Sequence, residues 1–222
     1  MGNITLLYYT ANLIPESFAK NVREHLLKVS LGKPIISISQ KPLDFGENIH
    51  LPGLVPCTYN VYQQILIGAE RAQTEFVACC EDDTVYCEEH FNFTPSEDAF
   101  YYNVSHWHVR PKCFYFRGHR IMSQCIVPTD LLIKTLNQRF EKFPDNDSIL
   151  RGFGEPGRAE HLLGLPPVKS RPFHTVISPL TFRHRISLSS VRNVPNTARQ
   201  VRTLPPWGDS EELWRKFDAP IG

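Results

Sequence analysis

A chain of 222 residues with 41% hydrophobic and 21% charged residues can bury one substantial core and is too apolar to be disordered. Its formal net charge of +1 gives no overall electrostatic footprint for nucleic acid. The six cysteines form no CxxC pair and no zinc-finger spacing, and no apolar run approaches the length of a membrane span. The expectation is a cytoplasmic protein with no membrane partner.

Ile4–Tyr9 is a β-prone apolar run that ends in the polar turn Thr10-Ala11-Asn12. Behind Pro15, apolar Phe18, Val22, Leu26 and Leu27 alternate with charged residues at helical spacing, and Gly32 and Pro34 stop the segment. Ile35–Ser39 is a second strand, so the chain opens with a βαβ unit of parallel strands and right-handed crossover. Residues 40–48 read as a loop, and Thr58–Thr74 as a helix with Val61, Ile65, Leu66 and Ala69 on its apolar side. That helix delivers the chain into the strand Phe76–Cys80, which ends in Glu81-Asp82-Asp83.

The acidic triplet is the most informative stretch. In an α/β protein, ligands bind beyond the carboxyl ends of such buried strands. Three adjacent acids repel one another and call for a cation; their oxygens suit Mn²⁺ or Mg²⁺, which in turn suits a diphosphate. The plainer alternative is that the acids begin a solvated loop.

Farther on, Phe100–Val104, Cys113–Phe116 and Ile121–Val127 are strand-like, and Thr129–Phe143 has helical periodicity with Thr129 as its expected N-cap. A short helix is expected around Arg158–Leu163. Between Arg171 and Arg202 there are six arginines and no acid, which favours an anionic ligand near the C-terminal part. Leu213, Trp214 and Phe217 recur at helical spacing, on a segment that docks back on the core or contacts another subunit.

Four stretches carry a resemblance to a known family: Tyr9-Thr10-Ala11-Asn12, Ile36 to Pro42, Glu81 to Tyr86, and Arg183-His184-Arg185. In this order they resemble a small family-2-like GT-A glycosyltransferase, of the kind found in bacteriophages. The resemblance implies an α/β fold with a GT-A-like (Rossmann-like) mixed sheet flanked by helices over residues 1–195. A C-terminal extension with a short helix would occupy residues 196–222. It implies a metal-dependent enzyme that moves a sugar from a nucleotide-diphosphate sugar, with a UDP-sugar favoured, working in the host cytoplasm if phage-encoded.

By the same resemblance Asp83 would ligate the divalent metal, with His184 completing its shell and His174 as the rival. Glu81 and Asp82 would contact the ribose or the metal's waters; Thr10, Asn12 and Lys41 would hold the nucleotide; Arg185 and Arg192 would neutralise the diphosphate. An inverting enzyme also needs a carboxylate base. Glu155, in the glycine-flanked Phe153–Gly157 stretch, is the first candidate and Glu160 the second. Trp107, His106 and Arg117 lie in an aromatic, basic region able to stack on an acceptor, possible acceptors including a hydroxymethylated pyrimidine flipped out of phage DNA. Trp107 is equally suited to the core.

Two other classes compete. A nucleotidyltransferase usually shows a Gly-rich basic loop after the first strand, where this chain has Thr10-Ala11-Asn12-Leu13. A non-catalytic nucleic-acid or glycan-binding module would explain the aromatics and arginines but not three clustered acids.

Overall fold

The computed structural model describes residues 4–184 and 198–218. The chain opens with β1 (Ile4–Thr10), α1 (Glu16–Val29) and β2 (Ile35–Ser39), then adds β3 (Glu47–His50), α2 (Thr58–Arg71) and β4 (Phe76–Glu81). Next come β5 (Thr84–Val85), α3 (Glu88–Asn92) and β6 (Phe100–Asn103), followed by the hairpin of β7 (Trp107–Arg110) and β8 (Cys113–Phe116). A 3-10 turn at Met122–Gln124 leads into β9 (Cys125–Pro128), α4 (Thr129–Lys142), α5 (Asp147–Phe153) and α6 (Glu160–Leu163). The chain then forms β10 (Ser170–Phe173), β11 (Leu180–Phe182), β12 (Gln200–Val201), the small ladder β13 (Thr203–Leu204) with β14 (Gly208–Asp209), and α7 (Ser210–Asp218). Among the described residues, no helix is long and apolar enough to cross a membrane.

Seven strands make the main sheet, in the order β10-β6-β9-β4-β1-β2-β3. β1 is parallel to β2 on one side and to β4 on the other, whereas β9 runs antiparallel between β4 and β6. The chain therefore winds outward in both directions from β1, and a crevice opens at the carboxyl ends of β1 and β4. Residues along β1 alternate between two cores. Leu7 and Tyr9 face α2 and α4 in a cluster with Ile65, Leu132 and Leu136, while Leu6 and Tyr8 face a second cluster with Leu26, Phe45 and Phe91. Burial on both faces is why β1 and β4 read as unbroken apolar runs. Each fully buried Leu or Ile there contributes roughly 1.5–3 kcal/mol. Cys79 and Cys80 belong to opposite faces of the same strand, and burial pushes both thiols far above their usual range, leaving them inert.

A second sheet, in the order β12-β8-β7-β11-β5, covers α1 and α7 with a third cluster that includes Phe18, Val85, Phe114, Phe182, Leu213 and Phe217. Its edge strand β5 begins three residues after β4 ends, so the acidic triplet forms the bend by which the chain leaves one sheet for the other. The bend is held by Phe182 N–H donating to the Asp83 carbonyl at 2.7 Å and by a 3.0 Å contact between the Thr84 and Thr181 hydroxyls.

Several elements differ from the sequence expectations. Residues 47–50 form an edge strand rather than loop, because Asn48 reaches into the sheet and donates to the hydroxyls of Ser37 and Ser39, both at 2.9 Å. Thr129 does not cap α4. It is the first helical residue, with Pro128 at the cap, and its hydroxyl donates to the Thr74 carbonyl at 2.7 Å. α5 was not expected; Asn146 caps it by accepting from Ile149 N–H at 3.2 Å. The C-terminal helix docks on this chain's own core, against α1, with Asn21 donating to the Phe217 carbonyl at 2.8 Å.

Phe217→Ala is expected to lower the stability of the whole domain by about 3 kcal/mol, the loss usual for a buried phenyl ring. Urea unfolding checks this; a change limited to a few tenths of a kcal/mol would mean that α7 is only loosely attached.

Candidate active site

A cavity of ≈ 540 Å³ opens at the carboxyl ends of β1 and β4. Tyr9 and Thr10 from β1 and the triplet Glu81-Asp82-Asp83 form one wall, and the parallel register that sets Tyr9 opposite Glu81 brings the two strand ends level. Hydroxyl groups hold each acid. Thr10 Oγ1 donates to Asp82 in a short hydrogen bond, Tyr9 O–H donates to Glu81 Oε1 at 3.2 Å, and Thr84 Oγ1 donates to Asp83 Oδ1 at 3.1 Å.

These bonds do not offset the crowding. Burial, and then the charge of Asp83, raises the Asp82 carboxyl to about 7. Burial, followed by the charge of Asp82 for Glu81 and of Glu81 for Asp83, raises these two carboxyls as well, although the Arg183 guanidinium opposes both shifts. A carboxyl whose folded pKa is raised stabilises the protein while it is protonated, and that stability disappears as pH climbs through the folded value. The protein without added cations should therefore lose stability between about pH 4 and pH 7. Asp82→Asn should flatten that slope and raise stability at pH 8 by about 1–2 kcal/mol, after allowing for partial exposure. Urea midpoints measured across pH would show it; an unchanged slope would mean that the acids are well solvated.

Glu155 reaches the same cavity from the loop after α5. The loop is clamped from behind. Arg139, wholly buried, pairs with buried Glu160 and donates to the Gly154 carbonyl. Glu160 also accepts from Gly157 N–H at 2.9 Å, Tyr102 O–H donates to the Pro156 carbonyl at 2.9 Å, and Ser170 Oγ donates to the Gly157 carbonyl at 2.9 Å. Gly154 has no room for a side chain, since a Cβ would come within 2.4 Å of the Tyr62 hydroxyl and 2.5 Å of the Leu150 carbonyl oxygen. Glu160 is thus corrected from a candidate base to the anchor of the loop: it is buried and fully engaged, and it does not line the cavity. Glu155 is half-buried, with one oxygen 3.5 Å from Arg158. Glu160→Ala should cost about 3–5 kcal/mol, because it strands the buried Arg139, whereas Glu155→Gln should change stability by less than about 1 kcal/mol. Thermal or urea unfolding of the two variants separates the roles.

The remaining expected residues divide plainly. Thr10 and Arg117 line the cavity. Asn12 and Lys41 line an adjoining groove on the other side of the Thr10–Leu13 turn. The Asn12 Oδ1 is already used there, accepting from Gln40 N–H at 2.8 Å and Lys41 N–H at 2.9 Å, which latches the loop after β2. Trp107 and His106 are buried and do not line the cavity; Trp107 packs in the third core cluster, edge-on to Phe116 at 5.3 Å. His184 does not line it either, because its ring is packed on Phe18 at 4.4 Å and Trp214 at 5.1 Å. His174 is exposed, 3.3 Å from the Ser105 hydroxyl. Among the described residues, no set of three His, Cys, Asp or Glu side chains is gathered into a ready cation cage. Arg185 and Arg192 lie outside the described residues.

Tyr62 and Gln64, not expected as site residues, line the cavity, as do His108 and His119 from the aromatic, basic region and Arg183 from the Arg183-His184-Arg185 stretch. Gln64 is buried and donates to the carbonyls of Thr10 at 2.9 Å and Ile38 at 3.1 Å, tying the ends of β1 and β2 together. The available signal was a polar residue on the apolar side of an amphipathic helix. His108 gave a weaker one, alternation along β7; His119 lies beyond the hairpin and had no periodic signal.

A parallel β-α-β core, an antiparallel extension beyond it and a polar crevice at the switch point define a Rossmann-like, GT-A-like α/β fold. No family model matches the sequence, and no curated protein does. Among solved structures, the chain is similar to a glycosyltransferase involved in the glycosylation of the major capsid of PBCV-1. Identity is 12%, the likeness covers 78% of this chain and 81% of that one, and the TM-score is 0.50. A looser likeness, with a TM-score of 0.44 at 14% identity, links 78% of this chain to 50% of the bifunctional IspDF from Campylobacter jejuni. The first likeness bears on the fold; the second is too loose to weigh.

Proposed function

We propose that the protein is a metal-dependent glycosyltransferase that takes its sugar from a nucleotide-diphosphate donor, with a UDP-sugar favoured. The observation that carries this is the convergence of Glu81, Asp82 and Asp83 on a cavity at the switch point of a fold that a known glycosyltransferase shares. The donor set fits a hard divalent ion such as Mn²⁺ or Mg²⁺: it is all oxygen, and crowding has already raised the acids' proton affinity. Asp83, with Asp82 beside it, would hold that ion, which when bound supplies positive charge to the departing diphosphate.

The chain's own residues supply the rest. Thr10 and Tyr9 fix the orientation of the acids, and Gln64 locks the strand ends on which the nucleotide would rest. Arg183 brings a guanidinium to the acid wall, able to pair with phosphate oxygens. Glu155 acts as base: it accepts the proton of the acceptor hydroxyl while the oxygen bonds to the anomeric carbon. The bond from that carbon to the diphosphate breaks, and its electron pair leaves with the phosphate, so the anomeric centre inverts. A hydroxymethylated pyrimidine flipped from phage DNA is one acceptor of suitable chemistry.

Thermal shifts with UDP- and GDP-sugars, with and without Mn²⁺, test the reading. A metal-dependent rise of several degrees is expected, lost in Asp83→Ala and kept in Glu155→Gln, with sugar transfer or donor hydrolysis falling by about 10²-fold or more in Glu155→Gln. No shift with any donor would favour a non-catalytic binding module, and full turnover by Glu155→Gln would remove that residue as the base.

A further inference from the structure

The cavity wall formed by the β7–β8 hairpin and the turn after it differs in chemistry from the acid wall. His108, Arg117 and His119 line it, with His106 fully buried behind them. The three imidazoles stand close together, with ring centroids 5.5 Å apart for His106 and His108, 5.4 Å for His106 and His119, and 6.5 Å for His108 and His119. Hydrogen bonds orient two of them. Nδ1 of His119 lies 2.8 Å from the Arg117 carbonyl oxygen and so carries the proton, leaving Nε2 as the lone-pair nitrogen. His108 Nδ1 lies 3.0 Å from the Tyr115 hydroxyl.

The charged groups that act on these rings are guanidiniums: Arg117, Arg158 and Arg183 for His119, and Arg183 and Arg117 for His108. Burial first, and then these charges and the neighbouring rings, keep all three histidines neutral near pH 7. Arg158 is engaged by Glu155, but Nε of Arg117 is buried with no hydrogen-bond partner among the described residues. An oxyanion placed here would accept from Arg117, raise the proton affinity of the imidazoles and gain them as further donors. A cation would gain neither, and a neutral sugar hydroxyl would accept from Arg117 without raising the proton affinity of the imidazoles. Positive charge continues along the His108 face of the same hairpin, where Arg110 sits 5.8 Å over the Tyr115 ring.

We propose that Arg117, His108 and His119 form an anion subsite that takes a phosphate group carried by the acceptor, separate from the place of the donor's diphosphate beside the acidic triplet. The word acceptor rests on the glycosyltransferase reading; the anion subsite does not. The phosphate has two possible sources, a phosphodiester chain or a phosphorylated sugar.

The test is an NMR titration of the full chain, labelled at the histidine rings, with inorganic phosphate, glucose 6-phosphate and a short single-stranded oligodeoxynucleotide. The His108 and His119 signals should move, and Arg117→Gln should weaken binding about tenfold, equivalent to about 1.4 kcal/mol. A salt-sensitive preference for the oligonucleotide that Arg110→Gln reduces would identify the phosphodiester source. A preference for glucose 6-phosphate that Arg110→Gln leaves unchanged would identify the phosphosugar. Two results would overturn the proposal: ring signals that none of the three ligands moves, or complete competition by UDP with Mn²⁺, which would make the wall part of the donor's diphosphate pocket. If phosphate binds but UDP with Mn²⁺ does not, the nucleotide-sugar reading fails while the anion subsite is supported.

Discussion

The bend at Glu81-Asp82-Asp83 is the constraint on which the rest depends. In three residues the chain finishes a central strand of the large sheet and begins the edge of the small one. A turn this tight, bonded through its own backbone to β11, leaves the three carboxylates little freedom to spread apart. Their repulsion is therefore built into the connection between the two sheets. Relieving it by moving an acid away would disturb the joint itself, so protonation or a cation is the less disruptive remedy.

The loop that carries Glu155 shows a different use of buried charge. Arg139 and Glu160 are sealed from solvent, and a buried ion pair contributes little net stability compared with apolar packing. What the pair does supply is position. Its hydrogen bonds end on the backbone of Gly154 and Gly157, on either side of Glu155. The surrounding glycines permit the close approach and the ion pair fixes it, so a half-buried carboxylate is delivered into a shared cavity by a loop with little secondary structure of its own.

The first half of the fold was legible because its signals are local. β1, α1, β2, α2 and β4 each announce themselves by apolar period and by flanking turn residues, and the acids follow the last strand directly. The second half depends on pairing between distant segments: β10 with β6, β11 with β7 and β12 with β8. The aromatic runs of β6 and β8 are legible on their own, but β7, β10, β11 and β12, two to four residues each, carry too little pattern to be recognised before their partners are known. The site divided similarly. Asp82, Asp83 and Glu155 could be named from their neighbours in sequence, whereas Glu160 and Glu155 differ in role only through Arg139, which is twenty-one residues before Glu160 and silent in any local window. His184, expected from the resemblance as a ligand, packs against Phe18 and Trp214, contacts with distant segments that no local window reveals.

The docking of α7 on α1 has a consequence for how the molecule is made. Phe18 and Val22 belong to the first helix, yet their apolar cover is completed by Leu213 and Phe217, nearly two hundred residues later. During synthesis the βαβ core can pair as soon as β4 is available, but the cover of this face of α1 stays incomplete until α7 has emerged. Order in the two halves is thus separated in time: the acid-bearing strands assemble early from near neighbours, and the second sheet, with its histidines and arginines, closes through long-range contacts that slow folding and leave an interval open to association with other chains.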